Sequence, residues 1–452
     1  MEKHLWPLTL AGNNNHLSQS VWKRRLLSNM LVVAALAAVS VTGSSAHAYQ
    51  KMPTPKLHVV GRFLEDPKHK VVTLHGYMQP GGSWFNGEGH NYQNPADFTS
   101  ATNVAPALNY FDEIADIMSS TKPLYNSSHG WYCSFVRYIG DEGSASNFAP
   151  GWDVKGNLHD PAQFEGWIHN MLVPYINHCK AEGLYVVLVG NPSTTYPKND
   201  EGDNDTTRNM SEQYQQNLIK FWKVVASDPG IKDADNVMFE ICNEPIAIET
   251  SFGTGDWGSG NDAHWAALAR FMQPIADAIR AEGADNVIWV PGLGWQGEYQ
   301  GFPAHPIKGK NMGYAAHIYP AYGGAHDDPG RVAKVWATNY QACAEIAPMI
   351  ITEMMWEPNN GRGYQDLWNA HTVGFGNAIK TCIDAEGNVS YLIGMTGDHF
   401  VDLQHGIDTS RQSTTEGSRA AFDWFYDYAN SASNNTKNTV ATIKNEPLSA
   451  HL

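Results

Sequence analysis

Three glutamates stand where their carboxylates could do chemistry. Glu240 and Glu244 lie four residues apart in the stretch VMFEICNEP, and Glu353 ends the later stretch PMIITE. Both stretches read as buried strands, in which a carboxylate needs a partner. Two carboxylates that face one another can hydrolyse a glycosidic bond, because one protonates the leaving oxygen while the other attacks the anomeric carbon.

The first two glutamates are expected to have different roles. With the period-two alternation of a strand, Glu240 and Glu244 share a face, so both carboxylates point to the same side unless the strand bulges. Arg137, in the run FVRY, is a candidate partner for the more deeply placed Glu240. Glu357, four residues past Glu353, is an alternative nucleophile, but its loop position disfavours it.

Strand-like and helix-like segments alternate along the chain. Eight short runs are rich in β-branched and aromatic residues, and amphipathic segments such as residues 265–279 lie between them. The runs are residues 70–77, 131–138, 184–190, 236–242, 286–292, 311–319, 348–353 and 389–396. This alternation predicts an α/β protein with parallel strands, and eight units predict a closed (β/α)8 TIM barrel.

Long loops gather at one end of the expected barrel. Three helices end in Ala-Glu-Gly, where glycine suits a left-handed cap, and each is followed within a few residues by a strand. The connections that leave the strands are longer and rich in Gly, Asn and Trp; they span residues 80–106, 140–160, 191–209 and 246–261. We therefore expect Glu244 and Glu353 at the C-terminal rim, where barrel enzymes build their sites.

Composition excludes some partners and favours others. The chain has 452 residues and a formal net charge of -16, which repels nucleic acid and anionic membrane surfaces. Its 15 Trp and 20 Tyr suit either core packing or the binding of neutral polyhydroxylated ligands. The five cysteines show neither a zinc signature nor a disulfide framework.

The N-terminus has the pattern of an export signal. A basic cluster at residues 23–25 precedes an apolar run at 26–41, and Ala-His-Ala at 46–48 has the form of a cleavage site. The run is shorter than the roughly 20 residues of a membrane anchor. The sequence predicts a signal peptide at 1–48, a barrel domain at 49–430 and a C-terminal tail at 431–452, in a secreted or periplasmic protein.

Three motifs on three of the expected strands carry a family resemblance. NEP ends the fourth strand, HIY at 317–319 ends the sixth, and TE at 352–353 ends the seventh. In order and spacing they resemble glycoside hydrolase family five, the cellulase-like group of barrel glycosidases, over most of residues 56–430. The segment before the first strand is similar to the hairpin that closes the barrel bottom in that family.

The resemblance implies a retaining mechanism without a cofactor or metal. Glu244 would be the acid/base and Glu353 the nucleophile. It also implies supporting roles for four residues: Arg137 and Tyr319 hold the nucleophile, Asn243 holds the sugar 2-hydroxyl, and His317 lines the site beside the acid/base. As alternatives, His317 could be a packing histidine and Tyr319 a core aromatic residue.

The substrate-binding surface is expected to depart from the family pattern. Trp295 and Trp356 directly follow strands and are favoured to stack on sugar faces, whereas Trp84, Trp152 and Trp257 suit packing equally well. Gly190 and Asn191 stand where the family places a histidine. Met395 and Asp398 stand where it places a tryptophan platform. Asp398 would hydrogen-bond hydroxyls there, favouring a different sugar or an exo-acting pocket.

The acidic loop 199–205 reads as a solvated turn rather than a calcium site.

Two functions follow from these patterns. The first is a retaining β-glycosidase acting on a polysaccharide or its oligomers, of the β-1,4-glucanase or mannanase type. The second is a noncatalytic glycan-binding protein on a barrel scaffold, because a barrel alone does not determine function.

Overall fold

A computed structural model describes residues 51–79, 98–124, 129–139, 161–190, 209–248, 252, 260–319, 328–354, 372–392, 401, 403–404 and 406. Several sequence predictions lie outside these residues. They are the signal peptide, the tail, the acidic loop 199–205, and the side chains of Trp84, Trp152, Asn191, Trp257, Trp356, Glu357, Met395 and Asp398.

Eight parallel strands close into a barrel, which confirms the predicted TIM-barrel fold. In chain order they are β3 (His75–Gln79), β4 (Phe135–Ile139), β5 (Tyr185–Val189), β7 (Val237–Glu240), β9 (Ile288–Pro291), β10 (Met312–Ile318), β11 (Met349–Met354) and β12 (Val389–Leu392). Each overlaps one of the eight predicted runs. Every residue of β5 is buried, as expected for a parallel strand covered on both faces.

Two small sheets flank the barrel. Strands β1 (His58–Val60) and β2 (Phe63–Glu65) form an antiparallel hairpin, and β6 (Asn209–Met210) pairs in parallel with β8 (Ala247–Ile248). The hairpin lies at the N-terminal ends of the barrel strands. The Val59 amide donates to Asn311 Oδ1 (3.0 Å), immediately before β10, and Arg62 donates to Asn388 Oδ1 (3.0 Å), immediately before β12. The hairpin thus closes the barrel bottom, as the sequence predicts.

Helices cover the barrel, and five of the described helices begin at polar side-chain caps. The α-helices are α1 (Ala101–Ser119), α2 (Pro161–Trp167), α3 (Val173–Glu182), α4 (Glu212–Ser227), α5 (Pro229–Lys232), α6 (Asp262–Ala281), α7 (Pro329–Asn339), α8 (Gln341–Ala344) and α9 (Thr372–Glu386). A π-helical turn, Ile168–Leu172, joins α2 to α3. The loop predicted over 80–106 ends earlier, because the Ser100 side chain accepts from the Asn103 amide and starts α1 at Ala101.

The predicted core face of α6 is confirmed. Five residues spaced three and four apart are all buried: Trp265, Leu268, Met272, Ile275 and Ile279. All five cysteines lie among the described residues and are free thiols. Within the described part of the chain, no helix combines the length and apolar character needed to cross a membrane.

His75, the first residue of β3, is buried in the barrel wall beside Tyr391. Burial, together with the smaller effect of the positive charge of Lys380, lowers the pKa of His75 from 6.5 to about 4. The folded protein therefore keeps this imidazole neutral at pH values where the unfolded chain protonates it.

This difference in proton binding predicts acid sensitivity. Well above pH 6.5, His75 is neutral in both the folded and the unfolded protein, and the full stability is present. As the pH falls from about 6.5 to about 4, protonation of His75 in the unfolded chain lowers the unfolding free energy by about 3 kcal/mol. We expect His75→Gln to lose stability less steeply than the wild type over this range. Urea unfolding at several pH values measures both slopes, with the exposed His169→Gln as control. Equal slopes in wild type and His75→Gln would contradict the prediction.

Candidate active site

The candidate site lies at the C-terminal ends of β4, β7, β9, β10 and β11. Arg137 occupies its centre and is completely buried. Its Nε and Nη2 donate to the two oxygens of Glu240 (2.9 Å each), and Nη1 donates to Glu353 Oε1 (2.7 Å). Nη2 also donates to Asn243 Oδ1 (2.7 Å) and Nη1 to Met78 Sδ (3.2 Å). All five donors of the guanidinium are therefore used.

The charges of its partners keep Arg137 ionised. Burial lowers the pKa of Arg137, but the charges and hydrogen bonds of Glu240 and Glu353 outweigh burial and raise the pKa above its ordinary value. Glu240 is itself fully buried, and its Oε1 also accepts from Gln296 Nε2 (3.1 Å) and Thr352 Oγ1 (3.2 Å). Glu240 has the structural position expected for it, enclosed beneath the rim.

Glu353 is held at both carboxylate oxygens. Oε1 accepts from Arg137, and Oε2 accepts from the hydroxyl of Tyr319. Its side chain is only 6% exposed. Hydrogen bonds to both oxygens fix the orientation of this carboxylate.

Glu244 faces Glu353 across the imidazole of His317. His317 Nδ1 lies 3.0 Å from Glu244 Oε1 and 3.5 Å from Glu353 Oε2. One carboxylate oxygen of each glutamate and this nitrogen all lie within 4.8 Å of one another. Nδ1 can donate to an ionised carboxylate or accept from a protonated one, so this contact is compatible with both protonation states of Glu244. The Tyr340 hydroxyl donates to the backbone carbonyl of His317 (2.8 Å) and so fixes the backbone that carries this imidazole.

A β-bulge explains how adjacent residues of β11 can both face the site. Ala316 pairs with Ile351 and His317 pairs with Glu353, so Thr352 is the extra residue of the pairing. Strict alternation would turn Thr352 and Glu353 to opposite faces. The bulge instead lets Thr352 donate to Glu240 while Glu353 accepts from Arg137.

Glu244 reaches the rim through a backbone turn. Regular strand β7 ends at Glu240, and Glu244 has a φ of 45°, in the left-handed region that a residue with a side chain rarely adopts. The predicted alternation therefore stops four residues short of Glu244. What holds this conformation is the amide of Glu244, which donates to Gln296 Oε1 (2.7 Å).

The residues after β9 form a left-handed turn that is hydrogen-bonded to the loop after Glu244. Gly294, Trp295 and Gln296 have φ values of 58°, 56° and 56°. The amides of Gly294 and Trp295 donate to the carbonyls of Ile246 (3.0 Å) and Pro245 (2.9 Å). Two side-chain-bearing residues in this conformation cost about 1–2 kcal/mol each, so the surrounding structure must enforce it.

Gln296 is a site residue that the sequence prediction missed. It is fully buried, and its amide spans three groups: the Glu244 amide, Glu240 Oε1 and the Ala315 carbonyl (3.1 Å). It thus connects the buried ion cluster to the backbone of Glu244. The glycines of GLGWQGEY signal an unusual turn, but no pattern in them shows which side chain turns inward.

Trp295 is placed at the surface beside this turn. Its side chain is 42% exposed, a high value for a large hydrophobic residue. The hydrogen bond from its backbone amide to the Pro245 carbonyl puts Trp295 next to Glu244 along the rim. An indole in this position can present its face to a ligand, and the stacking role of Trp295 stays a prediction.

The structure explains the glycine that stands where the family resemblance expects a histidine. A Cβ on Gly190 would lie 2.6 Å from the Ile241 carbonyl and 2.6 Å from the Trp222 ring. Trp222 is itself fixed, because its Nε1 donates to the Ile241 carbonyl (2.9 Å). Any side chain at position 190 would displace this pair.

The arrangement suits acid–base and nucleophilic chemistry. Glu244, His317 and Glu353 also have the donor types of a metal site. In the structure, however, these donors bond to one another and to protein: His317 Nδ1 lies between the two carboxylates, and both Glu353 oxygens accept hydrogen bonds.

Comparisons with known proteins agree with this geometry. Residues 159–380 match the model of the family described as Cellulase (glycosyl hydrolase family 5). Over 109 residues the chain is 28% identical to Endoglucanase Z from Dickeya dadantii. These aligned residues make up 24% of this chain and 22% of that protein. The match therefore spans about a fifth of the length of this relative.

Two solved structures share the fold. A β-glucanase from Saccharophagus degradans aligns with a TM-score of 0.55 at 18% identity, covering 84% of this chain and 96% of that one. The catalytic domain of endoglucanase Cel5A from Thermobifida fusca, in complex with cellotetraose, aligns with a TM-score of 0.51 at 18% identity, covering 82% and 98%.

Removing the central cation should destabilise the fold. Arg137→Met leaves Glu240 and Glu353 buried without their partner, so we expect a loss of about 3–5 kcal/mol of unfolding free energy. Arg331→Met is the control, because Arg331 and its partner Asp328 are more than half exposed, and a change within about 0.5 kcal/mol is expected. Denaturant unfolding measures both. An Arg137→Met variant as stable as the control would overturn the account of the cluster.

Proposed function

We propose that this chain, which belongs to glycosyl hydrolase family 5, is a retaining β-glycoside hydrolase that cleaves a β-glucan. Glu244 acts as acid/base and Glu353 as nucleophile. The observation that carries the proposal is the facing pair of carboxylates, held in different surroundings on either side of His317.

The spacing of the carboxylates supports retention. In retaining glycosidases the two carboxyl groups lie about 5–5.5 Å apart, whereas inverting enzymes separate them by about 6.5–9.5 Å to admit a water molecule. Oxygens of Glu244 and Glu353 approach within 4.8 Å. A separation this short agrees with direct attack by one carboxylate.

In the first step, Glu353 attacks the anomeric carbon while Glu244 gives its proton to the departing glycosidic oxygen. Arg137 and Tyr319 hold the two oxygens of Glu353, which aims the carboxylate at the anomeric carbon. Because Glu244 Oε1 lies against His317 Nδ1 (3.0 Å), we assign the proton for the leaving group to Oε2.

In the second step, Glu244 is ionised and takes a proton from water. That water attacks the anomeric carbon and breaks the bond to Glu353, which leaves Glu353 as a carboxylate and Glu244 protonated for the next cycle. The proton shared between the steps belongs on Glu244, because the neighbouring charge of Glu353 opposes a second negative charge.

Asn243 is oriented to bind the sugar beside the nucleophile. Its Oδ1 accepts from Arg137 Nη2 (2.7 Å), so its Nδ2 group is left to donate. A sugar 2-hydroxyl oxygen can accept this hydrogen bond, and such bonds strengthen in the transition state.

A β-1,4-glucan chain is the substrate that we propose. Support comes from the relatives named as endoglucanase and β-glucanase, and from the solved complex of one of them with cellotetraose. Trp295 would stack on a glucosyl unit at the rim. We further propose that the export signal at residues 1–48 directs the enzyme to a polymer outside the cytoplasm.

Separate variants test the two roles. We expect the wild type to release oligosaccharides from β-1,4-glucan, and Glu353→Ala to abolish release from every substrate. Glu244→Ala should lose the polymer but still release phenol from aryl glycosides whose leaving groups need no proton. Chromatography of a panel of glucans, mannans and aryl glycosides measures this. Glycan binding without turnover by the wild type would instead favour the noncatalytic alternative.

Gln296 should act by positioning Glu244. In Gln296→Ala the left-handed backbone of Glu244 loses its acceptor, so we expect kcat to fall by about 10–100-fold with KM little changed. The acid limb of the pH–rate profile should shift as well. The matched control is Gln215→Ala, because buried Gln215 also donates to two backbone carbonyls, Arg270 and Phe271, within the helical layer. Equal losses of kcat in both alanine variants would assign Gln296 a merely structural role.

A further inference from the structure

Three metal-ligating side chains meet on the hairpin at the barrel bottom. His58 lies on β1, Glu65 lies directly opposite on β2, and His69 follows in the next turn. One ligand atom of each lies within 4.8 Å of the others. We propose that these three residues form a binding site for a divalent transition-metal ion of the zinc type.

The hairpin register places the first two ligands together. His58 pairs with Glu65, while the next pair, Val59 with Leu64, packs against the core. Because successive side chains alternate, His58 and Glu65 share the face turned away from that core. Directly opposed residues of antiparallel strands have Cβ atoms about 4.5–5.5 Å apart, which suits two ligands of one ion.

A fixed turn brings the third ligand back over Glu65. Asp66 Oδ1 accepts from the amides of Lys68 (2.8 Å) and Lys70 (2.9 Å), and the Asp66 carbonyl accepts from the His69 amide (2.9 Å). His69 itself has a φ of 61°. This left-handed backbone directs its imidazole to Glu65, with Nδ1 3.2 Å from Oε2.

The donor set and spacing indicate the class of metal. Two imidazoles and one carboxylate with a fourth position for water are a common zinc set, whereas Ca²⁺ and Mg²⁺ favour oxygen ligands. Zinc bonds of about 2.0–2.1 Å put tetrahedral ligand atoms about 3.4 Å apart. The His69–Glu65 distance already meets this spacing. The His58 and His69 rings lie perpendicular, with centroids 5.8 Å apart, and the His69 side chain is 78% exposed, so small rotations close the set.

The consequence would be a clamp on the barrel bottom, remote from catalysis. The hairpin bonds to Asn311 and Asn388, which precede β10 and β12 at the N-terminal end of the barrel. His317 and Glu353 lie at the C-terminal end. A bound ion would join strands β1 and β2 to the following turn before the first barrel strand begins. The proposal stands independently of the glycosidase reaction.

The test counts zinc bound by the full chain in isothermal titration calorimetry. Wild type should bind one more Zn²⁺ than His69→Gly, a variant that removes the ligand while glycine accepts the left-handed backbone without strain. His58→Gln should show the same deficit. The control His169→Gln, which removes an exposed histidine that also faces a carboxylate, should match the wild type. Mg²⁺ should bind at no such site.

Thermal unfolding gives the second readout. Saturating Zn²⁺ should raise the Tm of the wild type by about 2 °C or more relative to the rise in His69→Gly. Zinc bound at Glu244 and Glu353 would inhibit hydrolysis equally in wild type and His69→Gly, so inhibition is measured separately and does not bear on the hairpin site. Equal zinc stoichiometry and equal Tm shifts in wild type and His69→Gly would overturn the proposal.

Discussion

A guanidinium buried away from water persists only where anions and acceptors enclose it, and Arg137 meets this condition in the middle of the barrel mouth. Its five donors reach Glu240, Glu353, Asn243 and Met78. These partners come from β3, from β7 and the loop that follows it, and from β11. The same contacts that satisfy the charge therefore fix the relative positions of the strand ends.

The cluster also differentiates the two facing carboxylates. Glu353 bonds directly to the cation, while Glu244 contacts the cluster through His317 and, by its backbone, through Gln296. Arg137 bonds to Glu240 and Glu353 but not to Glu244, so the two facing carboxylates have different electrostatic surroundings. In the proposed reaction, environment rather than residue type distinguishes the acid from the nucleophile.

Much of this arrangement could be predicted from the sequence, because it follows local rules. Alternating strand and helix patterns give the eight-stranded barrel, and the chain direction places NEP, HIY and TE at one rim. Arg137 could be expected to partner a buried carboxylate, since FVRY otherwise reads as core. The structure brings Glu244, Glu353, Arg137, Asn243, His317 and Tyr319 together, as the sequence leads one to expect.

Other features depend on contacts that no local pattern encodes. The bulge at Thr352 is a property of the pairing between β10 and β11, and the left-handed backbone of Glu244 is enforced by Gln296 from another strand end. Gly190 is explained by Trp222, which lies on α4. Each of these is a tertiary constraint on a residue whose own neighbours in the chain suggest something simpler.

The configuration of the first product tests the central claim, that Glu353 is a nucleophile facing an acid. Proton NMR during hydrolysis of a β-1,4-glucan oligomer reports the anomer that forms before mutarotation. Two displacements at one carbon predict the β-anomer first, followed by slow appearance of the α-anomer. Initial release of the α-anomer would show a single displacement by water and would contradict the account.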